Sequence, residues 1–591
     1  MNFAKPLSLL FVVLCMGCAR ESKVVDEVER PNIIIILTDD QGWGDLSIHG
    51  NTNLSTPHID SLAIEGAVFD NFYVQPVCSP TRAELLTGMY FPRLGVYSTS
   101  AGGERMDVSF PTLADYFLKS GYATAAYGKW HNGMQPPYHP NSRGFEDFYG
   151  FCSGHWGNYF SPMLEHNGEI VKGEGFLVDD FVNHGIDFIS KHQEQPFLLY
   201  LPLNTPHSPM QVPDVFWSKF EDRELQKRYQ NEDAEDLQFT KAALAMVENI
   251  DWNVGRLTSY LKQNDLDKNT IVVFMSDNGP NGWRWNGGLK GKKGSTDEGG
   301  VKSPFFIKWP ASIDSGQHFE QVMGSVDLLP TLLGLASVES PKDLGFDGRD
   351  FSSLIRGQGE QIKDRAIFNH WNNKTSVRTQ SYRLDSENRL YNIFTDPGQT
   401  TDLSLSHSKL RDSLIILKNK WIEEVATTER GNQPFTLGHT DFDLTQLPAR
   451  DGEVHGNIKR SNRWPNDSFF TNWKSVQDSI TWDIEVLKKG TFEVILYYTC
   501  EEQDIGAELE LGFKDSAIRK KVVNPHSPPL IGAENDRFPR MESYVKDFIP
   551  ISLGDIHLEQ GKGTLVLKAT EIPGDEVIDF RLLQFVRLDE Q

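Results

Sequence analysis

The run Cys78-Ser79-Pro80-Thr81-Arg82-Ala83-Glu84-Leu85-Leu86-Thr87-Gly88 has the form C-x-P-x-R followed by L-x-T-G. Arg82 follows Cys78 by four residues, so a helix starting at the motif puts both on one face. Alone, C-x-P-x-R describes a buried cysteine in a turn before a helix, since free cysteine is commonly a small buried hydrophobe. The L-x-T-G extension makes the pattern more specific. Asp39-Asp40 and Asp277-Asn278 add three carboxylates and one amide. Hard divalent cations take such oxygens. The set suits Ca2+ over zinc, which favours His and Cys. Singly, an Asp-Asp after a strand is ordinarily a solvated turn or a helix cap. Cationic candidates lie in Tyr127-Gly128-Lys129-Trp130-His131, in Thr205-Pro206-His207, and at Lys293, which precedes Gly294-Ser295-Thr296 and Glu298-Gly299-Gly300. Lys290 and Lys292 are near enough in sequence to take the place of Lys293.

Together these segments resemble type I sulfatases, the formylglycine-dependent family of the alkaline phosphatase superfamily, and in particular bacterial polysaccharide-active sulfatases and arylsulfatases. The resemblance implies that a maturation enzyme oxidises Cys78 to formylglycine (3-oxoalanine). One hydroxyl of the hydrated aldehyde then attacks sulfur, and the other later expels sulfate. It implies one Ca2+ per chain, held by Asp39, Asp40, residue 78, Asp277 and Asn278. Arg82, Lys129 and Lys293 would offset charge on the sulfuryl oxygens. Lys129, His207 and Lys293 would contact substrate, with His207 and Lys293 placed to serve the leaving oxygen. His131 would take the proton from the remaining hydroxyl.

The elements that must position these residues are legible as short apolar runs. Asn32 to Leu37, Ala123 to Tyr127, Phe197 to Leu201 and Ile271 to Met275 each end in polar residues. Continuous apolar runs suit strands of a parallel sheet covered on both faces, and ligands in open α/β sheets gather beyond the carboxyl ends of strands. Helices are expected from Thr112 to Gly121 and from Thr240 to Gln263, the latter with Leu244, Val247, Ile250 and Leu257 on one stripe. The fold class is therefore α/β. The resemblance makes it an alkaline-phosphatase-like, mostly parallel sheet flanked by helices, with a smaller C-terminal subdomain and an appended β-sandwich.

The expected domains are a signal peptide over 1–18, a catalytic domain over 30–336, a sulfatase C-terminal subdomain over 337–426, a linker over 427–461, and a β-sandwich over 462–591. That sandwich is either carbohydrate-binding or a packing module. Lys5, the apolar run Leu9 to Leu14 and small Gly17 read as an export signal. Leu-Cys-Met-Gly-Cys resembles a bacterial lipobox with Cys18 as the lipidated residue. Export then places the protein at the outer membrane by a lipid anchor, or in the periplasm. Cys152 and Cys500 fall in different domains and read as separate free thiols.

The net charge of −24 argues against a nucleic-acid binder. A few cations in a pocket can still attract an anionic substrate to an acidic protein. The expected substrate is a sulfated polysaccharide or its oligosaccharides, an algal polymer such as ulvan or carrageenan first and a glycosaminoglycan second. Specificity is expected in pocket loops such as His155-Trp156-Gly157-Asn158-Tyr159. The competing readings are a phosphodiester or phosphonate monoester hydrolase of the same superfamily, and a non-catalytic surface glycan-binding protein.

Overall fold

The computed structural model describes residue 1 and residues 30–339, 345–358, 365–427 and 433–588. Cys15, Cys18 and the rest of the expected signal lie outside the described residues. Ten strands form the main sheet: β1 (Asn32–Thr38), β2 (Ala67–Phe69), β3 (Ala123–Lys129), β4 (Asp147–Phe151), β5 (Met163–His166), β6 (Glu169–Lys172), β7 (Phe197–Pro202), β8 (Thr270–Ser276), β9 (Phe305–Lys308) and β10 (Gln317–Phe319). Their spatial order is β10-β2-β9-β8-β1-β7-β3-β4-β5-β6. The central strands β8, β1, β7, β3 and β4 run parallel, and antiparallel pairs flank them.

β1 shows why its sequence is apolar throughout. Ile33, Ile35 and Leu37 point into one core and Ile34 and Ile36 into the other. The helices α1 (Cys78–Thr87) and α2 (Leu113–Lys119) cover the first face with Leu85, Leu86, Leu113 and Phe117. The helices α3 (Leu177–Lys191) and α4 (Leu237–Gln263) cover the second with Phe181, Ala243, Val247 and Leu257. Thr112 caps α2 through a reciprocal bond with Asp115. Gly88, in the left-handed region, ends α1 by donating its N–H to Glu84 O. All four apolar runs became central parallel strands. In the register, Leu37 stands beside Pro202 and Thr38 beside Ser276, so the chain leaves β1, β7 and β8 at one edge.

After the main sheet, four antiparallel strands between Ile367 and Asn392 pack on the helix Ser408–Trp421, with Phe368, Val377, Leu390 and Trp421 between them. A sandwich of two six-stranded sheets follows, closed around Trp482, Phe492, Leu567 and Phe580. The segment 427–461, expected as a linker, contributes strands to it. Phe435–Leu437 and Glu453–His455 pair with Ser479–Val486, Leu444–Pro448 pairs with Asp579–Arg587, and Lys459–Arg460 pairs with Phe470–Thr471. These strands are two to five residues long, too short to show a period-2 pattern. Cys152 and Cys500 are buried free thiols. Among the described residues no helix is long and apolar enough to cross a membrane.

The turn after β8 depends on a close backbone approach. Gly279 donates its N–H to Gly300 O at 2.9 Å, and a Cβ at 279 would lie 2.0 Å from Gly299 O. Gly279→Ala should therefore push apart the turns bearing Asn278 and Lys293, at a cost of roughly 1–3 kcal/mol. Thermal melting checks this: a lowered Tm is expected, and a wild-type melting curve would contradict the packing described.

Candidate active site

Asp39 and Asp40 follow β1 and Asp277 and Asn278 follow β8, all fully buried. Asp40 sits at φ 67°, and this kink turns its side chain away from the run of the strand. Its carbonyl is held by Arg284, which also forms a buried pair with Asp45 at 2.6 Å. Cys78 is the first residue of α1, 3% exposed, and its sulfur lies within 4.8 Å of carboxylate oxygens of Asp39 and Asp277.

Each carboxylate has a cation brought from a different segment. Arg82, one turn into α1, donates from Nε and Nη2 to Asp277 Oδ2 at 3.1 and 2.8 Å, and from Nη1 to Lys129 O at 2.6 Å. Lys129, the last residue of β3, reaches Asp39 Oδ2 at 2.6 Å. Lys293 reaches Asp40 Oδ1 at 2.7 Å. Its neighbours point elsewhere: Lys290 Nζ lies 3.4 Å from Asp297 Oδ1, and Lys292 lies over the Trp283 ring. The Lys293 loop is tied down by Gly294 N–H to Pro76 O at 2.8 Å. Buried Glu298 accepts from Arg383 and Tyr73 at 2.7 and 2.9 Å, which fixes the same loop to the C-terminal subdomain.

Burial alone would raise the carboxyl pKa values of Asp39 and Asp40. Lys129 at the first and Lys293 at the second, each joined by His207, outweigh burial and hold both below the ordinary range. Asp277 is pushed the other way, by burial and the nearby Asp39 charge, against the pull of Arg82.

Three oxygens of this cluster are left over. Asp39 Oδ1, Asp40 Oδ2 and Asn278 Oδ1 are buried without a hydrogen-bond partner. Buried polar atoms are normally paired, so orphans in one cluster mark a seat for something that binds oxygen. All are hard donors, which fits a divalent cation of the Ca2+ type. The Cys78 sulfur is the one soft atom in the set, and an oxygen at that position would make the donors uniform. A second cluster, His139, Cys152 and Glu165, needs no ion. His139 Nδ1 accepts from Asn141 N–H at 3.3 Å, while His139 Nε2 and Cys152 Sγ both donate to Glu165 Oε1 at 3.1 Å.

Two histidines complete the expected set. His207 Nδ1 donates to Ser208 O at 2.6 Å, which leaves Nε2 facing Asp40 Oδ2 at 3.7 Å. His131, at φ 63°, donates from Nε2 to Thr99 O at 2.8 Å. Its Nδ1 is buried and unpartnered, and burial together with Lys129 holds its pKa well below the ordinary value. The structure thus brings every sequence-predicted residue from Asp39 to Lys293 into one cluster. Sequence reasoning placed His155 only in a specificity loop. The structure stacks its ring on His207 at 6.1 Å between centroids. Asn466, which comes from the C-terminal sandwich and packs beside His131, was not foreseen.

Comparison with known proteins gives the family. The sulfatase family model matches residues 31–338, and a model of the C-terminal region of N-sulphoglucosamine sulphohydrolase matches residues 292–404. The N-acetylgalactosamine-6-sulfatase of Mus musculus is 33% identical over 377 residues, covering 58% of this chain and 68% of that protein. The crystal structure of Ps i-CgsB in complex with k-i-k-neocarrahexaose is 30% identical with a TM-score of 0.63, covering 68% of this chain and 96% of that one. The chain belongs to the sulfatase family. It is a sulfuric ester hydrolase built on the alkaline-phosphatase-like fold.

Removing Arg82 would leave Asp277 buried without its cation. Breaking a buried ion pair in this way costs about 3–5 kcal/mol. Arg82→Ala should melt well below wild type, with Arg82→Lys between them because an ammonium cannot make the two-pronged contact. Equal melting of all three proteins would contradict the pairing described.

Proposed function

We propose that this sulfatase removes sulfate ester groups from a sulfated saccharide through a formylglycine at position 78 and a Ca2+ ion. The observation that carries the reading is the trio of unpartnered buried oxygens beside Cys78, inside a ring of cations. Asp39, Asp40, Asp277 and Asn278 are the residues that would hold the ion, together with an oxygen of residue 78. A divalent cation there supplies positive charge to the ester oxygens. An aldehyde at position 78, installed by a maturation enzyme, supplies as its hydrate one hydroxyl to attack sulfur and one to release sulfate.

The chain's own residues do the rest. Each of the three carboxylates already has a cation beside it, Arg82, Lys129 or Lys293, so a bound cation would make the pocket more positive towards a sulfate ester. Lys129 and Lys293 are fixed before substrate arrives, which lowers the reorganisation needed as charge develops. His207 is oriented by Ser208 O and faces Asp40 with Nε2, so in its doubly protonated form it can hand the Nε2 proton to the leaving oxygen. His131 donates from Nε2 to Thr99 O, so its Nδ1 is the basic nitrogen. Kept neutral by burial and Lys129, it can accept a proton at that atom when sulfate is released.

The substrate class rests on relatives. One is named for N-acetylgalactosamine 6-sulfate chemistry, and one was solved with neocarrahexaose. We place this enzyme on carrageenan-type or ulvan-type algal saccharides ahead of glycosaminoglycans. Its export, with lipidation at Cys18, is proposed from the sequence of the first eighteen residues.

Mass spectrometry of the peptide containing residue 78 should find the aldehyde in place of the thiol. Sulfate esters should be cleaved in preference to phosphate mono- and diesters. His131→Ala should lower kcat on sulfate esters by about 10²–10⁴-fold. A fully active protein with an unmodified thiol, or a dominant phosphodiesterase rate, would contradict the reading.

A further inference from the structure

Gly154 has no room for a side chain. A Cβ there would lie 2.6 Å from His131 Nε2 and 2.6 Å from Asn466 Nδ2. A histidine of the catalytic domain and an asparagine of the C-terminal sandwich thus meet across one backbone position. Asn466 is 7% exposed, and its Oδ1 has no hydrogen-bond partner. The next residue along, His155, is also buried with Nε2 unpartnered, and its ring lies 20° from the plane of His207. Burial, His207 and Lys129 hold its pKa well below the ordinary value, so the ring is neutral. A buried polar atom left unpaired costs about 1–3 kcal/mol. Asn466 beside His131 and His155 beside His207 each leave one such atom unpaired, which calls for a polar ligand.

The sandwich holds this arrangement in place. Gly157 N–H donates to Asp467 Oδ2, and Arg540 donates to Gly157 O. Gln211 accepts from Tyr159 N–H and donates to Gly532 O, each at 2.7 Å. Ser208, which follows His207, donates to Glu542. The loops bearing His155 and His207 are therefore both gripped by residues from the last domain.

We propose that His155 and Asn466 form a sugar-binding subsite beside the sulfate position, so that the C-terminal sandwich takes part in selecting the saccharide. The ligand is an uncharged part of a pyranose ring: Asn466 Oδ1 accepts from a hydroxyl or amide N–H, and neutral His155 bonds a second hydroxyl through Nε2. Both are specificity-determining residues, separate from the cations that hold sulfate. The inference rests on the reading of the Asp39, Cys78 and Asp277 cluster as the sulfate site.

The test compares the full chain with its Asn466→Ala and His155→Ala variants on 4-nitrophenyl sulfate, N-acetylgalactosamine 6-sulfate and sulfated neocarrahexaose. For the saccharide that wild type desulfates, kcat/KM should fall at least tenfold further than for the aryl ester. An equal fall on both, or no fall on either, overturns the proposal. So does a wild type that cleaves the aryl ester and neither saccharide. A wild type that cleaves no sulfate ester fails at the earlier reading and takes this one with it. Where Asn466→Ala does not melt cooperatively, Asn466→Ser carries the same comparison.

Discussion

The site is governed by the need to hold three buried carboxylates together in one small volume. Each is matched by a cation from another part of the chain: Asp39 by Lys129, Asp40 by Lys293, and Asp277 by Arg82. Such pairs seldom stabilise a fold in net terms, because taking both charges out of water costs about as much as their attraction returns. Breaking one leaves an unmatched charge, which is far worse. The arrangement is better understood as a functional constraint than as a stabilising device. It holds the carboxylates close together, with Asp39 and Asp40 kept ionised and oxygens to spare, where a cation can use them.

Much of the fold follows from meeting that constraint. The parallel register of β1 with β7 and β8 brings their ends to one edge. Helix α1 is buried over its whole length, which carries Cys78 and Arg82 to the same place. The C-terminal subdomain reaches back through Arg383 to Glu298 and steadies the Lys293 loop. The sandwich reaches back further, to the loops of His155 and His207. Domains far apart in sequence thus converge on a few side chains, and movement in any of them would be felt at the pocket.

The central strands were legible because a strand buried on both faces is apolar at every position, as Ile33 to Leu37 is. The site residues were legible because they follow such strands directly, and because the Cys78 motif is specific. What sequence could not show was which charge meets which. Lys129 and Asp39 are 90 residues apart and Arg82 and Asp277 are 195 apart, and no local pattern records such a pairing. The choice of Lys293 over Lys290 and Lys292 likewise depended on the path of a glycine-rich loop. The strands between Phe435 and Arg460 were missed because runs of two or three residues have no period to detect, and Leu444–Pro448, the one longer run, ends in a proline. Asn466 escaped notice because it enters the site from a domain whose tie to catalysis is visible only in three dimensions.

The central claim is that Asp39 Oδ1, Asp40 Oδ2 and Asn278 Oδ1 are spare because they belong to a hard cation. Calorimetric titration of Ca2+ into the chelator-treated full chain tests it most directly, since binding is read without turnover. The account predicts saturable binding of one ion per chain, lost in Asp40→Ala, with Zn2+ unable to compete at equal concentration. Absence of binding, or tighter binding of Zn2+ than of Ca2+, would contradict it.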